Sequence, residues 1–324
     1  MLRKFLVTSM ALALTLCFVA PQTSAEAAER RFVSIAAGWV TGAYYPMAGA
    51  ISRIAFNNLK DENIKVTAES SGASVANANL IASGNTDFAI LQNDIAYHAY
   101  HGKKGMFEEP VKNLRGVAVL YPEHIQCIVR DDSGIESMED LKGKRVAVGP
   151  IGSGTTENVK QIISAWDMTL DDFKAEQLQA RQASDYLKDG RIDAAFFTVA
   201  VGAAAIKDIA TVVDIEVLNI TGPNAQKLLE EVPFYTQQPV PAGSYPSQDE
   251  DAQTISVMAM LSARADLDQD IVYKLMKAMY ENIDKIHSAH AKFKNVSVDK
   301  AMDGMTIPLH PGAEKYLKEV GVVD

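Results

Sequence analysis

The sequence predicts an α/β fold of two lobes with a ligand cleft between them. Three observations lead there. Apolar, β-branched runs alternate with amphipathic stretches along most of the chain. The alternation comes as two separate βα series, each calling for a parallel sheet covered by helices. A long strand-like run interrupted by Pro122 leaves the first series, and a second apolar run at 253–263 returns to it. Two crossings make a hinge, and a cleft between α/β domains is a usual ligand site. Lobe I is then residues 30–121 with 253–324, and lobe II is residues 122–252.

The elements follow in order. "RFVSIAAG" alternates as a strand and ends at Gly38; "YYPMAGAISRIAFNNL" is a helix with Ile51, Ile54 and Ala55 on one face. "IKVTAESS" is a strand, and "SVANANLIASG" is a helix opened by Ser74 and closed by Gly84. "TDFAILQND" and "IAYHAYHG" complete a βαβα run. "LRGVAVLYPEHIQCIVR" is the long crossing strand. The second series has a strand in "MEDLKGKRVAVG", a helix to Trp166, and strands in "FKAEQL", "IDAAFFTV" and "EVLNIT". After the return strand "QTISVMAMLSA", the last sixty or so residues read as helical, down to "PGAEKYLKEVG".

The chain begins with Arg3 and Lys4, an apolar run from Phe5 to Ala20, and the small-residue site Thr23-Ser24-Ala25. That is a secretory signal peptide, residues 1–25, with cleavage expected after Ala25 and Ala27 as the alternative. Leu16 is too bulky for Cys17 to serve as a lipoprotein site. The mature protein is expected to be soluble and periplasmic. Its cysteine is then Cys127 alone, so no internal disulfide forms and the core must hold the fold.

Composition narrows the function classes. The formal net charge is −10, and loss of Arg3 and Lys4 takes it to −12. An acidic chain without a basic stripe argues against nucleic acid. The six His are scattered, and no cofactor or metal is called for. No Ser–His–acid set stands out, which weighs against catalysis.

One loop carries chemistry. "VAVGPIGSGTT" runs from a strand through Gly149 and Gly154 into a helix start. A P-loop needs Lys and then Ser or Thr after the second Gly, to reach the outer phosphates and bind magnesium. Here Thr155 and Thr156 follow, so no cation stands where a phosphate chain needs it. What is left is a helix start rich in hydroxyls and free N–H groups, either an anion cradle or an ordinary βα turn with a good N-cap.

Four blocks carry a resemblance. "AAGWVTGAYYPMAGAISR" holds Thr41-Gly42-Ala43-Tyr44-Tyr45-Pro46. "ESSGASVANANLIASGNTDFAILQNDIAYHAYHG" has Gly72, Ser74, Asn77, Gly84, Asp87, Gln92 and Asp94 in step. "LRGVAVLYPEHIQCIVRDDSGIESMEDLKGKRVAVGPIGSGT" and "LKDGRIDAAFFTV" follow. Together they resemble the TAXI solute-binding proteins of tripartite ATP-independent periplasmic (TRAP) transporters, over essentially the whole mature chain. The resemblance implies the two-lobed periplasmic binding protein fold of the type with two hinge crossings (type II). It implies a small organic acid ligand, glutamate-like or dicarboxylate, and a TRAP permease with fused membrane subunits, driven by an ion gradient.

Three helix starts should then face the cleft, at residues 41–45, 72–75 and 153–156. Each offers N–H groups and roughly half a positive charge. A carboxylate held by Ser153, Gly154, Thr155 and Thr156 needs no Lys, since each charge-assisted bond is worth roughly 1.5–3 kcal/mol. Thr41, Gly42 and Ser74 belong to the other two starts. Gln92 ends a strand, where ligand-facing groups of parallel sheets lie, and can donate to an acid. Tyr44 can stack on the ligand or donate its hydroxyl, or pack in the core. Asp94 is either a helix cap or, with Glu123, a partner for a ligand ammonium. Arg181 is either a second carboxylate clamp or a solvated loop charge. The expected function is capture of the acid by a monomer for delivery to the permease. A ligand sensor for a membrane receptor and an exported enzyme on the same fold are the alternatives.

Overall fold

In the computed structural model, residues 31–40, 42–103 and 105–324 are described. The expected signal peptide, residues 1–25, and Thr41 lie outside them. The first strand begins where the alternation of apolar residues begins, at β1 (Arg31–Ala36), followed by α1 (Tyr44–Asn58), β2 (Ile64–Glu69), α2 (Ser74–Ala82), β3 (Phe88–Gln92) and α3 (Asn93–His101). β1 lies between β2 and β3, and all run parallel. β3 is buried along its whole length, which is why it reads as a continuous apolar run.

The second series comprises β4 (Leu114–Arg130), β5 (Arg145–Ala147), α4 (Gly154–Ala165), β6 (Lys174–Glu176), α5 (Ala180–Lys188), β7 (Ala194–Val199), α6 (Ala204–Ala210), β8 (Ile215–Leu218), α7 (Pro223–Glu231) and β9 (Thr236–Val240). β10 (Ala252–Arg264) returns, and α8 (Gln269–Glu281), α9 (Ile283–Ala289) and α10 (Pro311–Glu319) close the chain. The strands join in the order β2-β1-β3-β10-β4-β7-β5-β6, with β8 on β4 and β9 on β10.

β4 and β10 are shared by both halves of this sheet. They pair antiparallel from Leu114 opposite Arg264 to Ile125 opposite Ile255. β10 pairs β9 over Ala252–Ser256 and β3 over Ala259–Ala263. β4 takes up β7 from His124 onward and β8 from Cys127. Pro122 cannot donate to a ladder, and it sits just before the pairing with β7 starts.

Each half has apolar clusters on both sheet faces. In the first, Met47, Ile51 and Ile54 of α1 pack with Val272 and Met276 of α8, while Ile81 of α2 and Ile95 of α3 cover the other face. In the second, Val159 and Ile162 of α4 pack with Phe196, and Leu187 of α5 packs with Ile206 and Ile209 of α6.

Two local readings change. The strand expected across 138–149 shrinks to β5, because Ser137 and Asp140 form a capping box that turns Met138–Leu141 into a 3₁₀ helix. Helices α6 and α7 and edge strand β9 were not legible: α6 is only two turns long, and Pro239 disguises β9.

Candidate functional site

The ends of β1, β3 and β7 and the starts of α1, α2 and α4 converge on one cavity of about 50 Å³. Gly38, Trp39, Gly42, Ala43, Tyr44, Ala73, Ser74 and Gln92 line it from the first half, Ser153, Gly154, Thr155, Thr198 and Val199 from the second, and Glu123 from the shared strand β4. Ordinary ligand sites hold roughly 300–1,000 Å³, so the halves here are drawn tightly together. The N–H of Ala76 donates across the gap to the carbonyl of Gly152 at 3.3 Å. Tyr97 packs on Phe234 with ring centroids 5.4 Å apart.

The start of α4 is built as its sequence implies. Gly149 has φ +85°, a conformation that favours glycine, and a Cβ there would come within 2.8 Å of Thr155. Ser153 is the N-cap and accepts from the Thr156 N–H at 3.3 Å. Gly154 is the first helical residue, and a Cβ on it would collide with the Gln92 side chain. The start of α2 is strained: its N-cap Ala73 has φ 70°, ψ −150°, a region nearly reserved for glycine.

Among the described residues, no Lys or Arg lines the cavity. Helix starts supply the positive potential. Tyr44 donates to Glu123 Oε2 at 2.6 Å. Burial pushes the Glu123 carboxyl up to about 8, against the opposing bond from Tyr44 and the charge of Lys292, and pushes the Tyr44 hydroxyl well above its usual range. Lys292 is itself lowered to about 8 by burial. Gln92 is 3% exposed, and its Oε1 has no partner among the described residues.

Of the residues singled out in the sequence, Gly42, Tyr44, Ser74, Gln92, Ser153, Gly154 and Thr155 line the cavity, and Thr41 lies outside the described residues. Three others do not line it. The Thr156 hydroxyl turns away to donate to the Pro150 carbonyl at 2.9 Å, the usual habit of a hydroxyl near a helix start. Arg181 is exposed on α5, so its charge stays solvated. Asp94 is fully buried beside the cavity and accepts from Asn158 of α4 at 2.7 Å. Nor does Asp94 cap α3, since its own N–H bonds to Asn93 and the helix starts one residue earlier. Tyr44 has its proton engaged by Glu123, so it faces a ligand as an acceptor and not as the expected donor.

Sequence reasoning missed Thr198, Asn158 and Trp39. The position of Thr198 at the end of "AAFFTV" was a usable signal, because ligand groups gather beyond the carboxyl ends of parallel strands. An Asn on the apolar face of α4 was another.

Two α/β halves joined by shared antiparallel strands around a cleft define the fold of periplasmic solute-binding proteins. The chain belongs to the NMT1-like family, whose family model matches residues 35–321. Among solved structures it is similar to a putative L-cystine ABC transporter protein from Listeria monocytogenes, with TM-score 0.52, 14% identity, and 84% of this chain and 98% of that one covered. It is also similar to a Xanthomonas citri protein bound to ATP, with TM-score 0.53, 12% identity, and 90% and 96% covered. These likenesses describe the fold. Among the described residues, no helix is long and apolar enough to cross a membrane, and no group of three or more His, Cys, Asp or Glu side chains could hold a metal ion.

Proposed function

We propose that this protein is a periplasmic solute-binding protein that captures a small organic acid and presents it to a membrane permease. One observation carries the reading: three helix N-termini and a buried Gln92 meet in a cleft that, among the described residues, no Lys or Arg lines. Such a cradle suits a carboxylate, because N–H dipoles hold charge without a bulky cation. The two halves, hinged where β4 and β10 pass between them, would close over the acid. Residues 30–121 with 253–324 form one lobe of this clamp and 122–252 the other.

The permease is of the TRAP kind, and the support for that is the resemblance of the four sequence blocks. The Listeria protein, at 14% identity, is named for an ABC system instead. Mass spectrometry of ligand released from protein purified without refolding tests the ligand class: a glutamate-like or dicarboxylic acid is expected, and a cationic or neutral ligand would sink the reading. Uptake into vesicles carrying the cognate permease should follow an ion gradient and persist without ATP; dependence on ATP would exclude the TRAP assignment.

A further inference from the structure

Four side chains link the interface between the halves to the cavity. Asp94 of α3 lies in the first half and is fully buried. Its Oδ2 accepts from Asn158 Nδ2 at 2.7 Å. The same nitrogen reaches the Tyr235 hydroxyl at 3.2 Å. Asn158 Oδ1 in turn accepts from the Thr198 hydroxyl at 3.0 Å. Among the described residues Asp94 Oδ1 has no hydrogen-bond partner, and Oδ2 is the oxygen that accepts from Asn158. An Asn has one donor end and one acceptor end. With its donor end fixed on Asp94, its acceptor end must face Thr198.

The consequence falls in the ligand cavity, which Thr198 lines. Its one proton is given to Asn158, so only lone pairs remain for a ligand. Tyr44 is in the same condition through Glu123, and Gln92 Oε1 is a buried acceptor on the same cavity without a partner among the described residues. Leaving such groups unpaired in a closed site costs free energy, which a ligand donor can recover.

We propose that Asn158, set by Asp94 across the interface, is a positioning residue that makes Thr198 a hydrogen-bond acceptor, and that the protein therefore selects acids bearing an N–H or O–H donor beside the carboxylate over plain diacids. This rests on the organic-acid reading above.

The test uses matched probes on the full mature protein by calorimetry: glutarate against L-glutamate and 2-hydroxyglutarate, and succinate against L-malate. The donor-bearing member of the pair that binds should be tighter by about tenfold or more, as expected for a site built to bond a ligand hydroxyl or amine. That ratio should fall by about fivefold or more in Thr198→Val and in Asn158→Ala, and return in Thr198→Ser. A folding defect alone would weaken both members alike and leave the ratio intact, which would overturn the proposal. Equal affinity for both members in the wild type would overturn it while leaving the organic-acid reading standing. Failure of every acid to bind would remove that reading and this inference with it.

Discussion

Gln92 and Gly154 meet across the cleft so closely that the Gln92 side chain occupies the space where a Cβ on Gly154 would stand. One residue ends β3, the other begins α4, and they come from opposite halves of the sheet. A Gly at the first helical position is therefore explained by a neighbour 62 positions away and not by the helix itself. Gly154→Ala should hold the halves apart. Affinity for the cognate acid should fall by tenfold or more, about 1.4 kcal/mol. The Tm of the unliganded protein should hardly move, since an opened cleft accommodates the methyl. Calorimetry paired with a thermal scan checks both, and an unchanged Kd would mean that the contact plays no part in closure.

The hydroxyls at the start of α4 should separate by role. Thr155 lines the cavity and has no protein partner among the described residues, so Thr155→Ala removes a donor to charge, roughly 1.5–3 kcal/mol or ten- to a hundredfold in Kd. Ser153 is the N-cap, so Ser153→Ala should also cost about 1 kcal/mol of stability. If the double variant binds within about threefold of wild type, the loop is only a turn and not an anchor.

Stability should fall as pH rises through neutrality. Burial raises Asp94 to about 7 and Glu123 to about 8. Unfolded, both release their protons near pH 4. Above about pH 4 the folded protein thus holds protons that the unfolded chain has lost, and each group costs up to about 1.4 kcal/mol per pH unit until its folded value is passed. Paired carboxylates such as Asp193, held low by Arg145, act oppositely, and their contribution is lost only in more acidic solution. Below about pH 6.5 this decline is offset by His98 and His124, which burial lowers to about 4, so that the unfolded chain binds protons there that the folded protein does not. The Tm should therefore be higher near pH 6.5 than at about pH 8.5. Asp94→Asn, which still accepts from Asn158, should flatten that decline. A Tm that climbs from pH 6.5 to pH 8.5 would contradict the assignment.

Ala73 holds a backbone conformation that costs of the order of 1–3 kcal/mol for a residue with a Cβ. Glycine removes the strain but gives the unfolded chain more freedom, roughly 0.4–1 kcal/mol. Ala73→Gly should therefore gain about 1 kcal/mol in urea unfolding. A loss of stability would show that the α2 start relaxes in solution.

Closure should be visible in scattering. Addition of the cognate acid is expected to lower the radius of gyration, and ATP is expected to leave it unchanged, because no Lys follows Gly154 to reach a phosphate chain. An unchanged radius at saturating acid would count against the clamp.

The sequence by itself determined the alternation of strands and helices, because solvent imposes a period of two on a half-buried strand and 3.6 on a helix. It also determined that β4 and β10 are the long strands, and that the loop before α4 lacks the cation of a nucleotide site. Short elements escaped it. α6 and β9 carry too few residues for a period to stand out, and β5 lost most of its expected length to a local capping box. Only the tertiary structure decided the site's polarity. Which hydroxyls can still donate depends on partners far along the chain: Glu123 takes the proton of Tyr44, Asn158 that of Thr198, and Pro150 that of Thr156. The same holds for Asp94, whose buried carboxyl meets Asn158 only because the two halves are brought together. A residue's type fixes what bonds it is able to make, whereas its neighbours in space fix which of those bonds are left for a ligand.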